Sequence, residues 1–233
     1  MIMTNDLLSV SNLARRFGTQ TVIENLSFSI PKGSRVAIFA PSGAGKTTLI
    51  NILTGLDTNY EGAFSLAAEK PATIFQEPRL FPYMTVQENI FLPARIRGTP
   101  MSQGFLDKCE RWLEVCDLSA YTQHYPYQLS GGMKQKTALI RGFLMDPDFV
   151  MMDEPFKSID VRSKKAIIHH ILETYPGITV LFVTHILDEV PLLTQSLLYF
   201  KANRLAEFVM YDAFHPAISP WDEWTTMRTL VDS

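Results

Sequence analysis

An α/β fold is predicted by three observations in this 233-residue chain. A compact apolar strand at 36–39 runs into the loop Ala40-Pro41-Ser42-Gly43-Ala44-Gly45 and then into a helical stretch at 47–56. The strand pattern returns at 149–152 and 179–184, with a helical stretch at 161–173 between them. The interval between these two α/β blocks is helical in pattern.

The elements follow in order. Residues 8–13 read as a short strand before a turn at Phe17-Gly18, and 22–30 as a second extended segment closed by Pro31-Lys32-Gly33. The helix over 47–56 has Gly55 near its end. The interval 60–71 is poorly periodic and is assigned no element; 72–75 is a strand that delivers Gln76. After Pro82, helices are expected at 86–95 and 102–116, although Pro93 argues against the first. Residues 79–128 form the expected helical subdomain of a single domain over 1–233, and Ser130 caps a helix continuing to about 145. Pro176-Gly177 turns the chain into the strand at 179–184. Strands at 197–200 and 205–209 are expected to form a hairpin around Asn203, and a short helix with Trp221 and Trp224 is expected after Pro220. The C-terminal extension, 205–233, is expected to lie against the rest of the domain.

Composition bounds the partners. Apolar residues are 46% of the chain and charged residues 19%, enough for a sizeable core. With 21 basic and 24 acidic residues the net charge is −3, so no nucleic-acid partner is expected. No apolar run reaches the roughly 18 residues of a membrane span, and the N-terminus has no signal-like pattern, so an intracellular protein is expected. Cys109 and Cys116, seven positions apart on one helical face, are expected to stay reduced and structural.

The candidate chemistry begins in the glycine loop. Gly43 and Gly45 let the backbone curve round phosphate oxygens, with Ser42, Ala44 and Thr48 beside them. Lys46 can reach the β- and γ-phosphates, and the Thr47 hydroxyl can ligate magnesium. Ala40 stands where this pattern usually has its first glycine, so a glycine-rich structural turn is the competing reading. Asp153 follows an apolar strand and can anchor magnesium, while Glu154 can accept a proton from an attacking water. Alone, that pair has a polar sheet edge, its acids capping or forming ion pairs, as its competing reading. Gln76 and His185 each follow a strand; by themselves they read as a surface glutamine and a boundary histidine. His169 and His170 lie in a helix without a ligand set.

Leu129-Ser130-Gly131-Gly132-Met133-Lys134-Gln135, between the glycine loop and the paired acids, sets the order of these groups. This order resembles the nucleotide-binding subunits of ATP-binding cassette transporters. Phe75-Gln76-Glu77-Pro78 and Met152-Asp153-Glu154-Pro155-Phe156 narrow the likeness to the nitrate, sulfonate and taurine importers. The resemblance covers about residues 8–200. It implies a P-loop nucleoside triphosphatase of the cassette type, with a helical subdomain and an N-terminal antiparallel β portion, using ATP and Mg2+.

Residue by residue, it implies Glu154, His185 and Gln76 as catalytic, and Thr47, Gln76 and Asp153 around the metal. Phe17 corresponds to the aromatic residue stacked on adenine, with packing in the core as the alternative. Ser130, Gly131, Gly132 and Gln135 are implied to meet ATP held by a second, identical subunit, and Asp160 to lie at the dimer contact. Lys136 replaces a common arginine, and Lys157-Ser158 a common glycine-alanine pair. The implied function is ATP-driven import of a small solute at the cytoplasmic face of a bacterial inner membrane. Two permeases would dock near Glu77, Leu80, Phe81, Tyr83 and Met84, and a periplasmic binding protein would act through them. The alternatives are a soluble cassette ATPase of nucleic-acid maintenance or translation, and a non-catalytic assembly subunit.

Overall fold

The computed structural model describes residues 6–201 and 204–211. Two sheets frame it. In the first, β1 (Asp6–Phe17) lies between β2 (Gln20–Pro31) and β4 (Glu61–Leu66), all antiparallel. In the second, β5 (Pro71–Ile74), β6 (Phe149–Asp153), β7 (Thr179–Thr184), β3 (Arg35–Phe39) and β8 (Ser196–Tyr199) run parallel in that spatial order, and β9 (Val209–Tyr211) adds an antiparallel edge. Strands β6 and β7 are buried along their whole length, which is why they read as unbroken apolar runs.

β4 was missed by the sequence pattern. Three of its six residues are consecutive and exposed, so a sheet-edge strand left no clean alternation. Its Gly62 is fixed by close approach: a side chain there would meet the Asn12 carbonyl oxygen at 2.4 Å. The expected hairpin at 197–200 and 205–209 is also corrected. Leu205 is not in it; its backbone bridges to β2, and the strand paired with β8 starts at Val209. The Trp221 and Trp224 segment and most of the C-terminal extension lie outside the described residues.

Helix α1 (Lys46–Leu53) follows β3 directly. The middle section holds α2 (Val86–Arg97) and α3 (Gln103–Val115), then two short 3-10 turns before α4 (Gly131–Phe143). The helix expected at 86–95 is present as α2, and it runs through the Pro93 that argued against it. A reciprocal cap between Thr85 and Glu88 starts it, Gly98 at φ 64° ends it, and Ile90, Phe91 and Ala94 bury one side. Those contacts offset a proline cost of about 3 kcal/mol. α5 (Val161–Thr174) connects β6 to β7, and the short α6 (Val190–Leu193) precedes β8.

One core joins the helices to the sheet through Trp112, Phe143, Phe156, Phe182 and their neighbours; a second lies between the two sheets and α1. Cys109 and Cys116 are free and buried in the first core, and burial raises their thiols to about 11 and about 12. No described helix is long and apolar enough to cross a membrane.

Candidate active site

Four neighbouring strands, β5, β6, β7 and β3, deliver Gln76, Asp153-Glu154, His185 and the glycine loop from their carboxyl ends. That edge is where an open parallel sheet offers a binding crevice. The result is a cavity of about 460 Å³ lined by Val22, Lys46, Thr47, Gln76, Glu154 and His185 among others. Ser42, Gly43, Gly45 and Thr48 line it too.

The loop's shape depends on its glycines. Gly43 and Gly45 take φ values of 82° and 98°. Any side chain on Gly45 would meet Val22 Cγ1 at 2.4 Å, so β2 roofs the loop at that point. Ala40 is fully buried and has no positive φ, so the substitution of the usual glycine demands no strained backbone. The Lys46 ammonium donates to the Ala40 and Pro41 carbonyls at 2.8 and 2.9 Å. Burial lowers its pKa. The backbone amides at the start of α1 favour an anion at the loop.

Across the loop, Thr47 Oγ1 donates to Asp153 Oδ2 at 2.7 Å. Asp153 is 1% exposed and its other oxygen, Oδ1, has no hydrogen-bond partner. Burial raises its pKa, against the opposing hydrogen bond from Thr47. An orphaned carboxylate oxygen beside a hydroxyl is the donor set that magnesium takes when substrate phosphates supply its other ligands. The residues therefore fit a magnesium ion. The described residues offer no cluster of three or more His, Cys, Asp or Glu side chains for a protein-only metal cage.

Glu154 is gripped on both oxygens. His185 Nδ1 lies 2.7 Å from Oε1, and Gln76 Nε2 donates to Oε2 at 3.4 Å. Its backbone is left-handed, with φ 45°, and its N–H donates to the Val183 carbonyl of β7 at 2.8 Å. The strand end thereby turns Glu154 towards the cavity while Asp153 stays beneath it. Gln76 bonds Glu154 here, not Asp153.

Sequence reading overlooked what holds His185. Thr184 Oγ1 accepts from the Ile186 N–H at 3.0 Å and donates to Glu189 Oε2 at 2.9 Å. Glu189 is 3% exposed and forms an ion pair with Lys164 of α5. One carboxylate thus braces both neighbours of His185. Glu189→Ala is expected to cost about 2–3 kcal/mol, below the usual range for a broken buried pair because Lys164 retains some solvent contact. Urea denaturation reads it; a loss under about 0.5 kcal/mol, the range of an ordinary surface substitution, would show the brace is idle.

The remaining predicted residues lie elsewhere. Ser130 caps α4 by accepting from the Met133 N–H at 3.2 Å, and Ser130 and Gly131 are exposed. None of Ser130, Gly131, Gly132 or Gln135 lines the cavity of its own chain. Gln135 is buried and donates to the Phe75 carbonyl at 3.2 Å, so its amide is engaged within the chain. A side chain on Gly132 would meet the Ser158 carbonyl oxygen at 2.5 Å, which sets that position to glycine. Lys136 is buried and donates to Ser163 at 2.8 Å, while Asp160 caps α5 by accepting from the Ser163 N–H at 2.9 Å. Phe17 is 49% exposed with the Arg15 guanidinium 4.0 Å from its ring centroid, and it does not line the cavity.

Comparison with known proteins places this chain among relatives. The family model described as ABC transporter matches residues 23–157. The aliphatic sulfonates import ATP-binding protein of a Bacillus cereus strain is 35% identical over 211 residues, 86% of this chain and 82% of that protein. The spermidine/putrescine import ATP-binding protein of Nitrosomonas eutropha is 35% identical over 203 residues, 82% of this chain and 56% of that protein. Among solved structures, the ATP-binding subunit of an ABC transporter matches with TM-score 0.78 and 25% identity, over 94% of this chain and 99% of that one. A dimeric bacterial ABC transporter cassette shares the fold, with TM-score 0.76 and 24% identity over 89% and 100% of the two chains.

Proposed function

Since the chain belongs to the ABC transporter family as an ATP-binding subunit, we propose that it is a magnesium-dependent ATPase driving import of a small solute through membrane permeases. One observation carries the catalytic reading. Thr47 and a Glu154 carboxylate oriented by His185 line one cavity, and directly beneath it Asp153, bonded to Thr47, keeps an orphaned oxygen.

Lys46 and the loop amides hold the phosphates. Thr47 and Asp153, with Gln76 nearby, would hold magnesium, which would supply positive charge to neutralise the phosphate oxygens. Glu154 accepts the proton of the attacking water, and His185 keeps that carboxylate aimed at the cavity. Phe17 offers a half-open ring for adenine.

Ser130, Gly131 and Gly132 act at the ATP of a second copy, with Ser130 and Gly131 facing it, whereas Gln135, buried with its amide bonded to Phe75, steadies α4 instead. The exposure of Ser130 and Gly131, and the absence of all three from their own chain's cavity, support that reading. The permease surface centres on Tyr83, which is 92% exposed beside Phe81. Asn89, fully buried, shapes it by bonding the carbonyls of Phe81, Met84 and Thr85 and the Phe81 N–H. Tyr125 and Tyr127, stacked 5.8 Å apart, extend the aromatic face next to Pro82 and Tyr83. That assembly would hold the chain at the cytoplasmic face of a bacterial inner membrane, with a periplasmic binding protein delivering solute.

The sulfonate importers among the relatives support a small solute of the sulfonate, nitrate or taurine class. The test is reconstitution with its permeases in vesicles. ATP-dependent uptake of a labelled sulfonate, with phosphate release abolished by magnesium chelation, is expected. Uptake of a polyamine instead would reject the solute class. Phosphate release indifferent to chelation would reject the magnesium reading.

A further inference from the structure

The turn after β6 brings a second ammonium into the cavity. Its anchors are apolar: Phe156 is fully buried with its ring 5.9 Å from that of Phe182, and Ile159 is buried. Backbone bonds from Lys157 N–H to the Glu154 carbonyl (3.3 Å) and from Ile159 N–H to the Phe156 carbonyl (3.1 Å) curl the chain between them. Lys157 and Ser158 are left exposed. The curl brings Lys157 Nζ to 3.7 Å from Glu154 Oε2, and the side chain lines the same cavity as Ser42, Lys46, Gln76 and His185.

The two ammonium groups are held differently. Lys46 is buried and bonded to two carbonyls. The Lys157 side chain is 53% exposed, and its pairing with Glu154 is longer than a hydrogen bond. A hydrated ammonium on a four-carbon stem, loosely paired, can change partner at little cost. Glu154 in turn keeps its contacts with His185 and Gln76 when that ammonium leaves.

We propose that Lys157 is a contact for the terminal phosphate, exchanging Glu154 for the γ-phosphate oxygens and thereby distinguishing a nucleoside triphosphate from a diphosphate. The inference rests on the ATP reading above, which puts Glu154 at the γ end of the site. A group beside Glu154 is then beside the phosphate that ADP lacks. The terminal phosphate carries more negative charge than one carboxylate, so Coulomb attraction favours the exchange. Departure of Lys157 also leaves the Glu154 carboxylate open to water when the triphosphate is in place.

Binding measured by titration calorimetry with magnesium, using ADP and a non-hydrolysable β,γ-imido analogue of ATP, tests this. Lys157→Gln keeps most of the stem and removes the charge. Its Kd for the analogue is expected to rise about 5- to 10-fold while that for ADP changes less than about twofold, and Lys157→Arg is expected to restore the difference. Unchanged ADP binding also shows that the variant is folded. Equal weakening of both ligands overturns the proposal, as does a slower hydrolysis with unaltered analogue affinity, which would leave Lys157 acting on Glu154 alone. Failure of the unaltered protein to bind either nucleotide would instead strike the ATP reading.

Discussion

Glu154→Gln is expected to lower ATP turnover by about 10²- to 10³-fold while ATP still binds. The amide is nearly the same size as the carboxylate, and glutamine can keep the left-handed backbone no worse than glutamate does. Its amide oxygen would still accept from Gln76 Nε2, while its NH2 donates to His185 Nδ1 in the tautomer that leaves that nitrogen unprotonated. The proton acceptor is lost. Single-turnover hydrolysis and ATP binding, measured separately, check the split, and ATP-bound dimer should accumulate. A decrease of less than about fivefold would remove Glu154 as principal base.

The second large effect concerns which chain completes each site. Lys46→Ala or Gly131→Asp in both subunits is expected to reduce hydrolysis by at least about 100-fold, the first by removing the ammonium that meets phosphate, the second by placing a carboxylate against it. A heterodimer of one Lys46→Ala and one Gly131→Asp subunit is expected to differ. If Ser130, Gly131 and Gly132 serve the partner's ATP, one site takes both lesions and the other none, so ATP-driven closure survives. Sedimentation of the mixed dimer with ATP reads this directly. A structure with Ser130 against ATP held by its own Lys46 would overturn the arrangement.

What the sequence revealed, and what it hid, divides by range. The loop through Lys46-Thr47, the acids after β6, and the residues after β5 and β7 were legible because local order places them at strand ends. The cap at Ser130 was legible for the same reason. Glu189, Lys164, Asn89 and Val22 were not. Their importance comes from partners brought together only by folding: Lys164 meets Glu189 across 25 positions, and Val22 meets Gly45 between two sheets. β4 hid because an edge strand shows solvent most of its side chains. The second strand of the hairpin was misplaced because Leu205 is apolar for the sake of β2, not β8.

That stitch at Leu205 has a thermodynamic consequence. Its N–H donates to the Val22 carbonyl at 3.0 Å, and its carbonyl accepts from the Glu24 N–H at 2.9 Å. The same Val22 closes over Gly45 in the phosphate loop. A molecule that gripped residues 204–211 and shifted β2 would therefore reach the phosphate loop through Val22. By linkage, such a molecule and an anion in the loop would change each other's affinity by one common factor.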